Sequence, residues 1–425
     1  MEKVLTKYVG KKDSHTLRFY KSHGGYEAFK KALKMKPEDI IEMVKQSGLR
    51  GRGGAGFPTG LKWSFVPKEP GQKYLCVNGD ESEPGTFKDR IILEHDPHQL
   101  LEGCLICCYA VGIQTCYVYL RGEFKLGAQR IQQAIQEAYE DGLMGKNILG
   151  TDFSCDFYLH RGAGAYICGE ETALLSSLEG GRGLPRIKPP FPAVSGLYGK
   201  PTIINNVETL ANLPHILNRG VEWYTSIGPK NNTGPKLFCF SGHVEKPGCV
   251  ELPMGIPLRE MIDKYAGGVW KGKKLKAVIP GGSSVPILHA DECDVPMDFD
   301  SLQKAGSMLG SAAIIVMDED TCIVDALYNL MRFYHHESCG QCTPCREGTG
   351  WLEKIVARIE KGHGRPEDLE LLDEIGNNMV GKTICVLADA AVMPCQSYIK
   401  KFRDEFQAHI EEKGCPFKKS KAKTA

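Results

Sequence analysis

Between Lys73 and about Leu159 the apolar and polar positions fall into two alternating textures. Short apolar runs at Tyr74–Asn78, Thr115–Leu120 and Cys155–Leu159 predict strands. The longer segments between them, Leu93–Ala110 and Phe124–Tyr139, predict helices. That βαβαβ order predicts a parallel sheet with right-handed crossovers, and binding loops at the carboxyl ends of its strands. Upstream, the charged first 50 or so residues predict helix from Tyr26 onward, with Pro37-Glu38-Asp39 opening a helix that runs through Lys45. Thr202–Asn218 predicts a return to helix. From Lys236 to about Met317 the texture changes to short strands with glycine and proline turns. Leu237–Val244 and Cys249–Leu252 flank a Lys246-Pro247-Gly248 turn, and a helix over Pro257–Tyr265 precedes strands at Lys276–Ile279 and Ala312–Met317. This predicts a small α+β unit of β-grasp type. From Thr321 onward the pattern is helical, as in a compact bundle.

Length and charge narrow the class. A chain of 425 residues exceeds what one core usually serves, so two to four domains are expected. Lys plus Arg (53) nearly cancels Asp plus Glu (52), which leaves no global field to recruit nucleic acid or anionic membrane. The basic run from Lys418 to Lys423 is expected to be a frayed, solvated end. No apolar stretch approaches the roughly 20 residues of a membrane-spanning helix, and the start of the chain has no signal-peptide core. Membrane association is therefore expected only through partner proteins. Seventeen cysteines, an odd number, argue for a reducing compartment. Cys76, Cys104, Cys107, Cys108, Cys116, Cys155 and Cys239 sit on apolar segments and are expected to behave as small buried hydrophobes.

Cys339, Cys342 and Cys345 differ, because Gly, Ser, Thr and Pro surround them in a C-x2-C-x2-C run. One loop with this spacing can present three thiolates to a cubane cluster, and a 4Fe–4S cluster needs a fourth. Zinc sites usually pair two C-x2-C knuckles, so the triple run fits iron–sulfur better. Cys385 and Cys395 are both candidates for the fourth ligand, and spacing favours neither.

The second chemical feature is glycine-rich. Six glycines lie between Gly48 and Gly60, interleaved with Arg50, Arg52 and Lys62. Gly51 to Gly56 satisfies G-x-G-x-x-G, but a helix-like segment precedes it and Pro58 is expected to interrupt any helix after it, unlike a conventional dinucleotide fingerprint. Such a backbone can approach a phosphate or an aromatic ring closely. Phe57, Trp63 and Phe65 offer stacking faces for flat rings. Two acidic loops, Asp80-Glu81-Ser82-Glu83 and Glu170-Glu171, follow predicted parallel strands and should converge at one edge of the sheet. The Pro-rich segment Leu184–Pro192 reads as a cleft wall. No Ser-His-Asp or Cys-His constellation is evident, and His95, His98, His335 and His336 are not spaced like a zinc set.

Five motifs together resemble the NADH-binding flavoprotein subunit of respiratory complex I. They are Leu49 to Phe65, Asn78 to Gly85, Gly162 to Thr172, Ile204 to Leu210 and Glu337 to Arg346, in family order. The resemblance implies FMN, a 4Fe–4S cluster and NADH oxidation, with hydride chemistry carried by the flavin and no catalytic side chain. It implies a helical and glycine-rich region over residues 1–72, a Rossmann-like FMN-binding domain over 73–234, a β-grasp (ubiquitin-like) domain over 235–318 and a cluster-bearing helical bundle over 319–425. Carried over by motif, Gly51, Gly53, Lys62, Asn78, Asp80, Glu81, Tyr166, Gly169, Glu170, Asn205, Asn206 and Thr209 are expected to hold FMN. Gly54, Phe57, Lys62, Phe65, Glu83, Glu171, Lys188 and Phe191 are expected to line the NADH cleft. Within the family the fourth cluster ligand falls at Cys385. The expected partners are a thioredoxin-like 2Fe–2S subunit and a large multi-cluster iron–sulfur subunit. The expected location is cytoplasmic, peripheral to the inner membrane. A diaphorase subunit of an NAD-linked hydrogenase or formate dehydrogenase carries similar motifs and is the alternative. A non-catalytic metal-binding scaffold is the third reading.

Overall fold

The computed structural model describes residues 2–418, so most of the basic run lies outside the described residues. Lys418 itself is not frayed, since its ammonium pairs with Glu360 at 2.7 Å. The chain divides into two compact units, one of residues 1–82, 86–239 and 249–256, the other of residues 83–85, 240–248 and 257–425.

A four-stranded parallel sheet organises the first unit, with β1 Tyr74–Gly79, β2 Thr115–Leu120, β3 Asp156–Arg161 and β4 Thr202–Asn206 in the order β3-β2-β1-β4. Leu75, Cys76 and Val77 of β1 are fully buried, as expected for a central parallel strand. The helices Pro97–Val111 and Lys125–Glu140 pack on the sheet and on each other. The sheet and its helices are Rossmann-like.

Two sequence expectations fail here. Leu93–Ala110 is two helices, Asp89–His95 and Pro97–Val111. Asp96 leaves helical geometry at φ −144°, and Pro97 fills the first position of the second helix, where its missing N–H costs nothing. Thr202–Asn218 is not one helix either. Its first five residues are β4, and Val207–Ala211 and Leu213–Arg219 follow as separate helices. Thr202, Ile203 and Ile204 carry the β-branched side chains of a buried strand, and they pair in parallel with Tyr74, Leu75 and Cys76. The correction matters, because β2 and β3 extend the sheet to one side of β1 and β4 lies on the other. The order therefore switches direction between β1 and β4, where open α/β sheets form their ligand crevice.

The remaining strands are β5 Pro235–Gly242, β6 Gly248–Pro253, β7 Leu275–Ile279, β8 Leu288–His289 and β9 Ala313–Asp318, in the order β6-β5-β9-β7-β8. β7 runs antiparallel to both β8 and β9. With the helix Leu258–Tyr265 this is the expected β-grasp, although β8 and the helix Phe299–Lys304 were not legible in the pattern. In the second unit the helices Ile323–Glu337, Thr343–Glu360, Asp368–Met379, Leu387–Lys401 and Arg403–Glu411 form the expected helical C-terminal part.

Candidate functional site

In the first unit the motif residues gather at the carboxyl ends of β1 and β4. Asn78 and Asn206 are register partners at the last paired position of the two strands. The glycine run closes into a loop, with the Gly51 amide donating to the Phe57 carbonyl at 2.8 Å and the Thr59 amide to the Leu49 carbonyl at 2.9 Å. The Arg52 amide donates to the Thr209 hydroxyl at 2.8 Å, which ties the loop to the helix after β4. A Cβ at Gly53 would lie 3.2 Å from that of Asn206, so glycine permits this close approach. Gly54 adopts φ +140°, and a Cβ there would meet nothing within 4 Å. The loop thus presents bare backbone to open space.

Pro58 does not interrupt a helix, contrary to the sequence expectation. It ends the loop and caps the helix Thr59–Ser64. That helix aims Lys62 inward, where its ammonium donates to the Ile204 carbonyl at 2.9 Å and pairs with Glu171 at 3.1 Å. Glu171 also pairs with Lys188 at 3.2 Å, and Lys188 with Glu170 at 3.1 Å. Burial alone would raise the Glu171 carboxyl, but Lys62 and Lys188 outweigh it and hold its pKa below the usual range. The result is a ladder of alternating charge joining the glycine loop, the loop after β3 and the Pro-rich wall.

The two acidic loops converge as expected. The Asn78 side-chain amide donates to the Gly169 carbonyl at 2.8 Å, and a Cβ at Gly169 would lie 3.5 Å from the Asp80 carbonyl. Tyr166 begins the short turn that ends at Gly169. Glu170 caps the helix Glu171–Leu178, accepting from the Thr172 and Ala173 amides. Glu81 is engaged elsewhere in the same unit, accepting from the Asp89 and Arg90 amides at 2.8 and 3.1 Å. Burial, then the charge of Asp89, pushes its pKa up to about 7. Glu83 belongs to the second unit, where its carboxylate accepts from the Ser284 amide at 2.8 Å.

The aromatic expectations divide. Phe57, Phe65 and Phe191 are 47%, 52% and 59% exposed, and the first two rings lie 6.2 Å apart. Large exposed aromatic faces beside a polar crevice suit a stacked ring system. Trp63 is no stacking face, being buried, with its indole N–H donating to Asn205 Oδ1 at 2.9 Å. Arg52 is also turned away from any phosphate. Its guanidinium is buried and donates to the Tyr224 hydroxyl and the Thr233 carbonyl.

Sequence reasoning missed the buried charges beneath the crevice. Lys88 pairs with Asp89 at 2.8 Å and with Glu208 at 2.9 Å, and Glu208 pairs with Lys236 at 2.7 Å. Lys88 also donates to Asn206 Oδ1 at 3.2 Å. Glu208 lies inside a recognised motif, which was the one available signal.

In the second unit the cysteine run links the helices Ile323–Glu337 and Thr343–Glu360. Ser338 Oγ lies 3.3 Å from Cys345 Sγ, and the Ile384 amide donates to Cys342 Sγ at 3.4 Å. The Ile384 contact brings the segment bearing Cys385 against the run. Cys395 is buried on the helix Leu387–Lys401. A thiol-rich loop wrapped in N–H and hydroxyl donors fits an iron–sulfur cluster. A glycine-edged crevice with amides, an ammonium and exposed rings fits a flavin nucleotide.

Comparison with known proteins agrees along the whole chain. The Nuo51 FMN-binding domain matches residues 44–215, an SLBB domain matches 236–316, and the NADH-ubiquinone oxidoreductase-F iron-sulfur binding region matches 325–409. An F-type NADH-quinone oxidoreductase subunit of Rhizobium meliloti is 57% identical, over 98% of this chain and 99% of its own. The corresponding F-type protein of Rickettsia bellii is 57% identical, over 96% and 99%. Among solved structures, an NAD+-reducing [NiFe]-hydrogenase in its air-oxidized state superposes with a TM-score of 0.83 at 33% identity, over 96% of this chain and 67% of that one. The chain belongs to the family of F-type NADH-quinone oxidoreductase subunits.

Proposed function

We propose that this chain is the NADH-oxidising flavoprotein subunit of an NADH-quinone oxidoreductase, binding NADH, FMN and a 4Fe–4S cluster. The observation that carries this reading is the convergence of Lys62, Asn78, Gly169, Asn205 and Asn206 on the β1/β4 crevice, in a chain that also holds the three-thiol loop. When bound, FMN supplies acceptance of a hydride from NADH and the cluster supplies removal of electrons one at a time.

The chain's own residues bind and orient. Gly51 and Gly53 let backbone approach the flavin nucleotide, and Gly54 the nicotinamide nucleotide; Asn78, Asp80, Tyr166, Gly169, Glu170, Asn205, Asn206 and Thr209 fix the flavin's edges and the loops around it. Glu81 supports this set by capping the helix Asp89–His95. Lys62 keeps a cation at the crevice, held in place by Ile204 and Glu171, and would stabilise negative charge arriving beside it. Phe57, Phe65 and Phe191 offer ring faces to the nicotinamide nucleotide, with Glu171 and Lys188 as its polar lining. No side chain has to move a proton in the hydride step. Cys339, Cys342, Cys345 and Cys385 ligate the cluster.

The partners are a thioredoxin-like 2Fe–2S subunit and a large multi-cluster iron–sulfur subunit, which relay electrons toward quinone. The assembly lies on the cytoplasmic side, peripheral to the inner membrane. Among the described residues no helix is long and apolar enough to cross a membrane. The likeness to the NAD+-reducing hydrogenase keeps a soluble-hydrogenase or formate dehydrogenase diaphorase as the second reading. The higher identity over full length to the quinone oxidoreductase relatives favours the first.

Anaerobic purification of the matured protein tests the proposal. Flavin bands that bleach on adding NADH, together with a cluster signal, are the expected result; a colourless, iron-free preparation overturns it. A narrower test concerns Phe65. Phe65→Ala is expected to weaken NADH about tenfold through loss of stacking worth about 1–2 kcal/mol, without changing FMN content. Equal losses of NADH affinity and FMN content would count against the stacking role.

A further inference from the structure

A second cluster of metal-ligating side chains lies in the second unit, apart from the cysteine run. Cys322, Glu360, His409 and Cys415 bring one donor atom each to within 4.8 Å of one another. Cys322 is the residue before the helix Ile323–Glu337, Glu360 ends the helix Thr343–Glu360, His409 is on the helix Arg403–Glu411, and Cys415 follows it. We propose that these four residues bind a zinc ion that staples the helix Arg403–Glu411 and the segment after it to the helix pair carrying the cysteine run.

Four of the six donor–donor distances match those of a tetrahedral zinc site, and the other two, from Cys415 Sγ to Glu360 and His409, lie within 4.8 Å. Zinc–sulfur bonds near 2.3 Å and zinc–nitrogen or –oxygen bonds near 2.0–2.1 Å set donor–donor edges of about 3.8 Å for S–S, about 3.5 Å for S–N or S–O, and about 3.4 Å for N–O. The structure holds Cys415 Sγ 3.6 Å from Cys322 Sγ, and Cys322 Sγ 3.6 Å from Glu360 Oε2 and 3.3 Å from His409 Nε2. His409 Nε2 lies 3.3 Å from Glu360 Oε2. Each of these edges agrees with its zinc value to within a few tenths of an ångström.

The surroundings are those of ligands already oriented. His409 Nδ1 lies 2.7 Å from the Glu405 carbonyl, which fixes the tautomer that leaves Nε2 as an acceptor. The Asp325 amide donates to Cys322 Sγ at 3.4 Å, as suits a thiolate. Glu360 Oε1 accepts from Lys418 at 2.7 Å, leaving Oε2 for the site. Two thiolates and a carboxylate are balanced by a dication together with Lys418. Two sulfurs with one imidazole and one carboxylate favour zinc over magnesium or calcium, which take oxygen.

The position gives the site its role. The cysteine run joins one end of the helix pair and this cluster joins the other, separated by about 22 Å at 1.5 Å per residue of the 15-residue helix. The zinc is therefore structural, and clamps the segment around Cys415 to the helix pair at the end opposite the iron–sulfur loop.

Metal analysis of the full-length chain, purified without chelator, is expected to give about one zinc per chain, as for a closed structural site. His409→Ala and Cys415→Ser are each expected to reduce it at least tenfold, whereas Cys342→Ala retains it. Zinc X-ray absorption on the unmutated protein keeps the test open if those variants misfold. Two sulfurs near 2.3 Å and two lighter donors near 2.0 Å are expected. Absence of zinc, a shell of four sulfurs, or a Cys322–Cys415 disulfide in alkylated protein would each overturn the proposal.

Discussion

Cys342→Ala is expected to abolish the cluster signal and quinone-directed electron flow while leaving a flavin that NADH still reduces. Cys342 Sγ is where two chain segments meet, since it accepts from the Ile384 amide at 3.4 Å beside Cys385. Removing it takes away one of the four proposed thiolates and the acceptor that draws the Cys385 segment against the loop, so both the ligand count and the closure of the loop are lost at once. The groups assigned to the flavin have their partners in a different unit. Lys62 is fixed by Ile204 and Glu171, Asn78 by Gly169, and Asn206 by Lys88 and Asp89. None of these bonds reaches the cysteine run. Low-temperature EPR of NADH-reduced protein, with anaerobic flavin bleaching, separates the two functions. A folded, FMN-loaded variant whose flavin NADH no longer reduces would show that cluster and hydride acceptance are not separable.

The same separation explains what the sequence could and could not convey. Strands β1, β2 and β3 were legible because Leu75-Cys76-Val77 and Thr115–Leu120 are short apolar runs between longer helical ones. β4 was not, because Thr202-Ile203-Ile204-Asn205-Asn206 is only five residues long and runs directly into Val207–Ala211. A strand and the first turn of a helix share that composition until pairing with β1 decides between them. The missed strand nevertheless carries Asn205 and Asn206 to the crevice. Motif resemblance named those residues without showing why two asparagines stand there. Trp63 and Arg52 err in the opposite direction. An aromatic and a cation in a glycine run invite ligand contacts, yet both are buried and hydrogen-bonded to the protein, supporting Asn205 and the loop. The zinc ligands were illegible for a different reason. Cys322 and Cys415 are 93 residues apart and share no spacing motif, so only the fold assembles them.

The buried charge cluster yields the other large effect. Glu208 is fully buried between Lys88 at 2.9 Å and Lys236 at 2.7 Å, and its second oxygen accepts from the Leu237 amide at 2.8 Å. Burial would raise its pKa, but Lys236, Lys88 and Arg52 overcome it and hold the carboxyl down to about 2. Its charge therefore contributes stability at neutral pH that is lost as pH falls from the ordinary carboxylate range toward 2. Burial lowers Lys236 to about 8 even with Glu208 beside it. Glu208→Gln keeps the shape and the Leu237 contact but removes the carboxylate that Lys236 and Lys88 share, while Asp89 still pairs with Lys88. Breaking one side of a buried ion pair costs about 3–5 kcal/mol, and that loss is expected here. Part of it should be recovered as pH rises, because Lys236 can then shed its proton. Lys88 and the Glu208 amide both donate to Asn206 Oδ1, at 3.2 and 3.0 Å, so FMN content should fall together with stability. Denaturant unfolding across pH, with flavin measured per chain, checks both. A variant within about 0.5 kcal/mol of the parent, the range of ordinary surface changes, would mean that the cluster does not anchor the crevice.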